Sequence, residues 1–142
     1  ISSKFTYFGE NGSGQIVKAC NNMMLGINMI GVSEAFTLAS KYGISQKTFF
    51  EISSKSSGSS WVMLNHLPVK GIIKTAAANN RFKPGYAAKL ILKDLSIAKQ
   101  MAKKISLNIF MGNKAYDLYK SFCRKDKNNL DYSAIIKSLF KK

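Results

Sequence analysis

Between residues 15 and 42 the chain carries apolar side chains on most faces of a 3.6-residue period, among them Val17, Cys20, Met24, Ile27, Ile30, Ala35 and Leu38. A helix that is apolar all round has to be covered on all sides. The pattern therefore predicts a long buried helix around which everything else packs. Gly26 and Gly31 lie inside it. Each costs about 1 kcal/mol relative to alanine in a helix interior, and the close approach of a neighbouring helix accounts for them. Lys41-Tyr42-Gly43 ends the segment, with glycine just past the last turn. Its most apolar part, residues 23–39, is interrupted by Asn28 and Glu34. It falls short of the roughly 20 apolar residues that a membrane span needs, so no membrane association is expected.

The rest of the chain also reads as helices. Ser45 is placed to cap one that runs to about residue 54. The Ser/Gly run at 53–60 is too short to separate domains and reads as a turn into a short helix from Trp61, ended by Leu67-Pro68. Residues 69–84 are the least regular, with a turn at Asn79-Asn80. Residues 86–105 form a second long helix. Ala87, Ile91, Leu95, Ala98, Ala102 and Ile105 are its buried stripe, and Lys89, Lys93, Ser96, Gln100 and Lys103 its polar face. Ala115, Leu118, Tyr119, Phe122 and Cys123 mark a further helix. A last one, capped by Asp131, uses Tyr132, Ile135, Ile136 and Leu139. Only residues 4–8 suggest an extended piece. The expected fold class is all-α: one helical bundle around a long buried central helix, with no internal repeat.

At 142 residues, with 46% hydrophobic side chains, the chain is long and apolar enough for one domain with its own core. It starts Ile1-Ser2-Ser3, without methionine, which reads as a piece of a longer protein. Cys20 and Cys123 fall within helical patterns without metal spacing. They read as small buried apolar groups, and a reducing, cytoplasmic compartment fits them. With a single histidine, His66, no metal site is expected. The net charge of +15 raises the question of nucleic acid. Its lysines are scattered from Lys4 to Lys142, and the two arginines, Arg81 and Arg124, are far apart. Arginine is the residue of bidentate phosphate recognition, so a solvated surface is the expected meaning and no nucleic-acid partner is predicted.

Chemistry is concentrated near the start, in Gly9-x-x-Gly12-x-Gly14-x-x-x-Lys18-x-x-Asn21-Asn22. The spacing suggests a glycine-rich turn running into the helix at about Gln15. A phosphate-binding loop needs Lys-Ser/Thr after the last glycine, where Gln15-Ile16 stands. A dinucleotide fingerprint at Gly12-x-Gly14-x-x would place Val17 where a small residue is needed, and no βαβ pattern follows. Lys18 and Asn22 are four residues apart and share a helix face. An ammonium in the first turns of a helix is repelled by the positive end of the macrodipole, so Lys18 is expected to have a lowered pKa suited to a general base. An ordinary solvated lysine fits the spacing equally.

This signature resembles the substrate site of the β-hydroxyacid dehydrogenases. Further blocks follow in the same order: Asn21-Asn22-Met23-Met24-Leu25 leading to Met29-Ile30-Gly31 and Glu34-Ala35, then Ser56-Ser57-Gly58-Ser59-Ser60-Trp61, Pro68-Val69-Lys70-Gly71 and Lys93-Asp94-Leu95-Ser96-Ile97-Ala98. Together they resemble the 3-hydroxyisobutyrate dehydrogenase branch over essentially the whole chain. Asn21, where the phosphogluconate dehydrogenases carry histidine, favours the short hydroxyacid branch. The resemblance covers the helical C-terminal domain of the 6-phosphogluconate dehydrogenase-like superfamily and not the N-terminal Rossmann domain.

The resemblance implies an NAD-dependent oxidation of 3-hydroxyisobutyrate to methylmalonate semialdehyde, a step of valine degradation. Lys18 would be the acid–base group, Asn22 would bind the substrate, and Lys93 would reach the cofactor, itself bound mainly by the absent domain. Tyr86 would flank the nicotinamide ribose. It also implies a homodimer or higher homo-oligomer. Two residue readings stay open: Trp61 is a core aromatic or an apolar wall for the substrate methyl, and Lys93 is a cofactor contact or a solvated lysine. Two functional alternatives stand beside the main one, a related short hydroxyacid or semialdehyde reductase and a non-catalytic basic helical binding module.

Overall fold

The computed structural model describes residues 10–140, and the extended piece expected at 4–8 lies outside them. Helix α1 spans Glu10–Lys41, α2 Gln46–Ser53, α3 Trp61–Asn65, α4 Ala88–Lys104 and α5 Phe110–Phe122. Short 3-10 helices cover Ala77–Asn80 and Tyr132–Leu139, and a π turn follows α5 at Cys123–Lys127. Among the described residues no strand forms; one isolated antiparallel bridge joins Ala87 to Asp131. The chain is the expected all-α bundle. α1 runs through its middle and packs against α2, α3, α4, α5 and the C-terminal 3-10 helix.

α1 differs from expectation in two ways. It starts at Glu10, so Gly12 and Gly14 are helical residues rather than a turn. A Cβ at either would meet nothing within 4 Å. Glycine weakens a helix locally, but a helix held by tertiary packing further along carries that cost. Nor is α1 covered all round. Ala19, Met29, Val32 and Phe36 are buried, whereas Ile16, Val17, Met24 and Leu38 are exposed. Despite Asn28 and Glu34, the stretch Gly12–Lys41 is long and apolar enough to cross a membrane by length and composition alone. Here its buried face is covered by the other helices.

Gly26 serves the close approach expected of it. A Cβ there would sit 3.4 Å from Ile91 Cγ1 and 3.5 Å from Leu95 Cδ1, where α4 meets α1. Gly31 does not; its surroundings are open within 4 Å. Gly43 ends α1 with φ +87°, a left-handed conformation that suits glycine.

The caps follow the sequence. Ser45 Oγ accepts from Thr48 N at 3.1 Å, and Ser60 Oγ accepts from Met63 N at 3.2 Å. α4 buries Ala88, Ile91, Leu95, Ala98 and Ala102, with Asp94 among them. Ile105, expected in that stripe, is exposed because α4 ends at Lys104 and the chain turns through Ser106 at φ +55°. Cys20 is exposed rather than buried, because it lies on the open side of α1, and Cys123 is half-buried; both are free thiols. The last helix is 3-10 rather than α, and Tyr132, Ala134, Ile135 and Ile136 are buried along it. Its cap is the expected one: Asp131 Oδ1 accepts from Ser133 N at 3.0 Å.

Candidate active site

An open cleft of about 470 Å³ lies between α1, α3 and the approach to α4. Asn21, Asn22 and Asn28 of α1 supply polar groups, and Met24, Leu25 and Val62 supply apolar wall. Trp61, His66 and Tyr86 complete the lining.

The cleft is organised by a carboxylate behind it. Asp94 is 7% exposed. Its Oδ2 accepts from Asn22 Nδ2 at 2.8 Å and from the Tyr86 hydroxyl. A carboxylate only accepts hydrogen bonds, so it fixes which end of the Asn22 amide faces it. The amide oxygen and the second N–H remain, and Oδ1 receives only a long contact from Asn21 Nδ2 at 3.3 Å. Burial, then the hydrogen bond to Asp94 and its charge, pushes the Tyr86 phenol far above its ordinary value, so it stays a donor.

Tyr86 is placed by the C-terminal segment. Gly85 N and Tyr86 N both donate to Asp131 Oδ2 at 3.1 Å. Tyr132 N donates to Tyr86 O at 2.8 Å, and Ala88 N to Leu130 O at 2.8 Å. Asp131 thus caps the last helix with one oxygen and holds the approach to α4 with the other.

His66 closes the other end. It is the residue after α3, and its backbone N–H donates to Val62 O at 2.8 Å. Its Nδ1 lies 2.6 Å from the hydroxyl of the fully buried Tyr132. Its ring meets Trp61 edge-on, with centroids 4.6 Å apart. Burial lowers the imidazole pKa, and the nearby Asp131 charge only partly offsets this. Trp61 is 59% exposed, which rules out the core reading and leaves it as cleft wall.

The residues singled out from sequence separate here. Asn22 lines the cleft. Lys18 is exposed one helical turn before it and does not line the cleft. Because α1 begins at Glu10, Lys18 stands about 12 Å along the axis. The macrodipole acts within the first turn, so its expected influence on Lys18 has no basis in this geometry. Lys93 lies on the exposed face of α4, beside Asp94 and outside the cleft lining. Asp94 and His66 were missed as site residues. The signal for Asp94 was present: it is an acid inside the apolar stripe of α4, between Ile91 and Ala98. His66 carried none beyond being the sole histidine.

Residues 12–139 match a family described as NAD-binding of NADP-dependent 3-hydroxyisobutyrate dehydrogenase. The chain belongs to that family. A probable 3-hydroxyisobutyrate dehydrogenase of Mycobacterium tuberculosis is 37% identical over 98% of this chain and 47% of its own length. The mitochondrial 3-hydroxyisobutyrate dehydrogenase of Drosophila melanogaster is 40% identical over 95% of this chain and 42% of its own. Among solved structures, the Mycobacterium tuberculosis enzyme, described together with L-serine, superposes with a TM-score of 0.88 at 38% identity. That match covers 92% of this chain and 44% of the other. The chain thus spans a little under half the length of these relatives. As the sequence resemblance implied, its fold is that of the helical bundle in these dehydrogenases.

Proposed function

We propose that this chain is the substrate half of an NAD-dependent dehydrogenase that oxidises 3-hydroxyisobutyrate to methylmalonate semialdehyde, with NAD bound mainly by a dinucleotide-binding domain outside residues 1–142. One observation carries the reading. Asn22, a cleft-lining amide anchored on Asp94, stands one turn from Lys18 in a chain of this family. The cleft volume of about 470 Å³ suits a small hydroxy acid. Met24, Leu25, Val62 and Trp61 offer apolar wall to its methyl group, and the free end of the Asn22 amide takes its hydroxyl.

Lys18 then acts as the general base. Its side chain reaches along α1 to the hydroxyl that Asn22 holds and accepts the hydroxyl proton; in reverse, the ammonium returns it. A positioned proton acceptor contributes about 10²–10⁴ in rate. Asp94 positions Asn22 and Tyr86 together. When bound, NAD supplies the hydride acceptor. Tyr86, on the cleft, would flank the nicotinamide ribose of that cofactor, and Lys93, on the exposed face of α4, would reach its edge. Among the described residues no strand leads into a glycine-rich turn that would hold a pyrophosphate. The exposed Ile16, Val17 and Leu38 on α1 support a homo-oligomer, and two free thiols support the cytoplasm.

The test is Lys18→Ala in a protein that joins this chain to a dinucleotide-binding domain. We expect kcat to fall at least about a hundredfold with the KM for NAD little changed. Retention of more than about a tenth of the parental kcat removes Lys18 from the mechanism. A second substrate, another short β-hydroxy acid, is favoured by the L-serine named with the mycobacterial structure. Comparing kcat/KM for serine and 3-hydroxyisobutyrate decides between them.

A further inference from the structure

We propose that Asp131 is a positioning residue for the reaction: its carboxylate holds Tyr86 by the backbone, and through a hydrogen-bond relay from Tyr86 to Asp94 to Asn22 it sets how the cleft amide stands. The inference rests on the proposed reading of the cleft as the substrate site.

The segment that leads into α4 is not shaped by local preference. Arg81 and Phe82 are consecutive non-glycine residues with φ of +53° and +59°. Side chains other than glycine adopt that left-handed region only where their surroundings over-determine it. Ala87, the residue before α4, offers no side-chain cap. The ties come instead from the far end of the chain. Asp131 N donates to Phe82 O at 2.9 Å, Ala88 N to Leu130 O at 2.8 Å and Lys89 N to Asn128 O at 3.0 Å.

Asp131 is the charged group among these ties, and it is 5% exposed. Its Oδ2 accepts from Gly85 N and Tyr86 N, both at 3.1 Å. Its Oδ1 accepts from Ser133 N at 3.0 Å and from Ser133 Oγ at 2.5 Å. These donors fill the roughly four acceptor sites of a carboxylate, which leaves it one arrangement. A backbone held at 85 and 86 fixes where the Tyr86 side chain starts. Tyr132, the next residue after Asp131, fixes where it goes: the two rings meet edge-on with centroids 5.4 Å apart, and Tyr132 N donates to Tyr86 O at 2.8 Å. The Tyr86 hydroxyl then donates to Asp94 Oδ2, the oxygen that also accepts from Asn22 Nδ2 at 2.8 Å. Both donors share one oxygen, so a displaced phenol changes the Asn22 bond directly. Tyr86 and Asn22 line the cleft and Asp131 does not. A displacement of about 1 Å caused from outside a site can cost about a hundredfold in rate, which is the scale on which Asp131 acts.

The test separates the two oxygens. Asp131→Ser keeps a cap for the last helix, since serine caps as well as aspartate, but its hydroxyl is one bond shorter and leaves Gly85 and Tyr86 untied. Ser133→Ala removes a bond from Oδ1 and leaves Oδ2 on Gly85 and Tyr86. Tyr86→Leu keeps apolar bulk against Tyr132 and cuts the relay at Asp94. The first readout is the side-chain amide of Asn22 in the NMR spectrum of the 142-residue chain, assigned by its loss in Asn22→Ala. We expect that resonance to move in Asp131→Ser and in Tyr86→Leu, and to stay in place in Ser133→Ala. A role confined to stability would not move it. The second readout is kcat in the joined protein. It should fall about tenfold or more in Asp131→Ser and in Tyr86→Leu. The double variant should lie within about twofold of the weaker single one, because residues that act through one relay are not additive. An Asn22 amide unmoved by Asp131→Ser, a near-parental kcat, or losses that multiply in the double variant each overturn the inference. Should Asp131→Ser not fold, Tyr86→Leu decides: an unmoved Asn22 amide and a parental kcat would leave Asp131 nothing to act through and overturn it, and a moved amide with a lowered kcat supports it. The two readings fail separately. An unmoved Asn22 amide with an inactive Lys18→Ala variant sinks only this inference, whereas a moved amide with a fully active Lys18→Ala variant sinks the assignment of Lys18.

Discussion

Asp94 sets which way two cleft side chains point. The burial of His66, at the other end of the cleft, makes stability depend on pH. Burial lowers the folded-state pKa of His66 below its ordinary 6.5. Between those two values the unfolded chain binds a proton that the folded chain refuses. The contribution is therefore intact above about pH 6.5, is lost as pH falls from there towards the folded pKa, and is flat below it. Denaturant unfolding at pH 7.5, 6.5 and 5.5 (about one pKa unit either side of the unperturbed value) should show declining stability, and His66→Gln should lack that share of the decline. Equal slopes for the two proteins would refute it. Lys93 is a residue-scale question of another kind. It is exposed on α4 next to Asp94, so Lys93→Ala should leave folding unchanged and, if Lys93 meets the cofactor as proposed, raise the KM for NAD in the joined protein while sparing kcat. An unchanged KM for NAD returns Lys93 to the solvated surface.

At the scale of elements, two glycines in one helix should respond in opposite ways. Gly31 has open space where its Cβ would lie. Gly31→Ala gains helix propensity without a clash and should stabilise the chain by up to about 1 kcal/mol. At Gly26 a methyl would reach ordinary contact distance, 3.4 Å from Ile91 and 3.5 Å from Leu95. Anything longer must push α4 away from α1. Gly26→Leu should therefore destabilise by about 1–3 kcal/mol, the usual range for overpacking. Urea midpoints for both variants test the pair, and a Gly26→Leu protein as stable as its parent would mean that α1 and α4 are not held together at this point. The latch from Asp131 to Gly85 and Tyr86 belongs to the same scale, since it links the last helix of the chain to the mouth of the cleft.

In the proposed function the molecule as a whole supplies one side of a reaction. Its core of Met29, Phe36, Leu67, Ile91, Leu95, Tyr119 and Tyr132 is fully buried without help from any other domain, so the 142-residue chain should fold by itself. It should nevertheless form no NADH from 3-hydroxyisobutyrate and NAD, and calorimetry should detect no NAD binding at millimolar concentration. Hydride transfer needs both reactants held in near-attack geometry, and the cleft is open on one side. Turnover by the pure chain would mean that the bundle carries far more of the cofactor site than Tyr86 and Lys93.

Local sequence determined much of this protein. The helix periods, the Ser45 and Asp131 caps, the Gly43 stop and the all-α class depend on interactions a few residues long, which is why they could be read directly. Asn22, which the family signature singled out, lines the cleft. Tertiary structure decided the rest. Apolar residues on every face of α1 could not reveal that Ile16, Val17, Met24 and Leu38 lack cover, because cover comes from elements distant in sequence. The start of α1 at Glu10 moved Lys18 away from the helix terminus, since the penalty of two glycines is small against the packing of a 32-residue helix. The union of Asn22, Asp94 and Tyr86 spans 72 residues of chain. That of His66 with Tyr132 spans 66. No local pattern encodes such meetings; they exist because α1, α3, α4 and the C-terminal segment converge on one cleft.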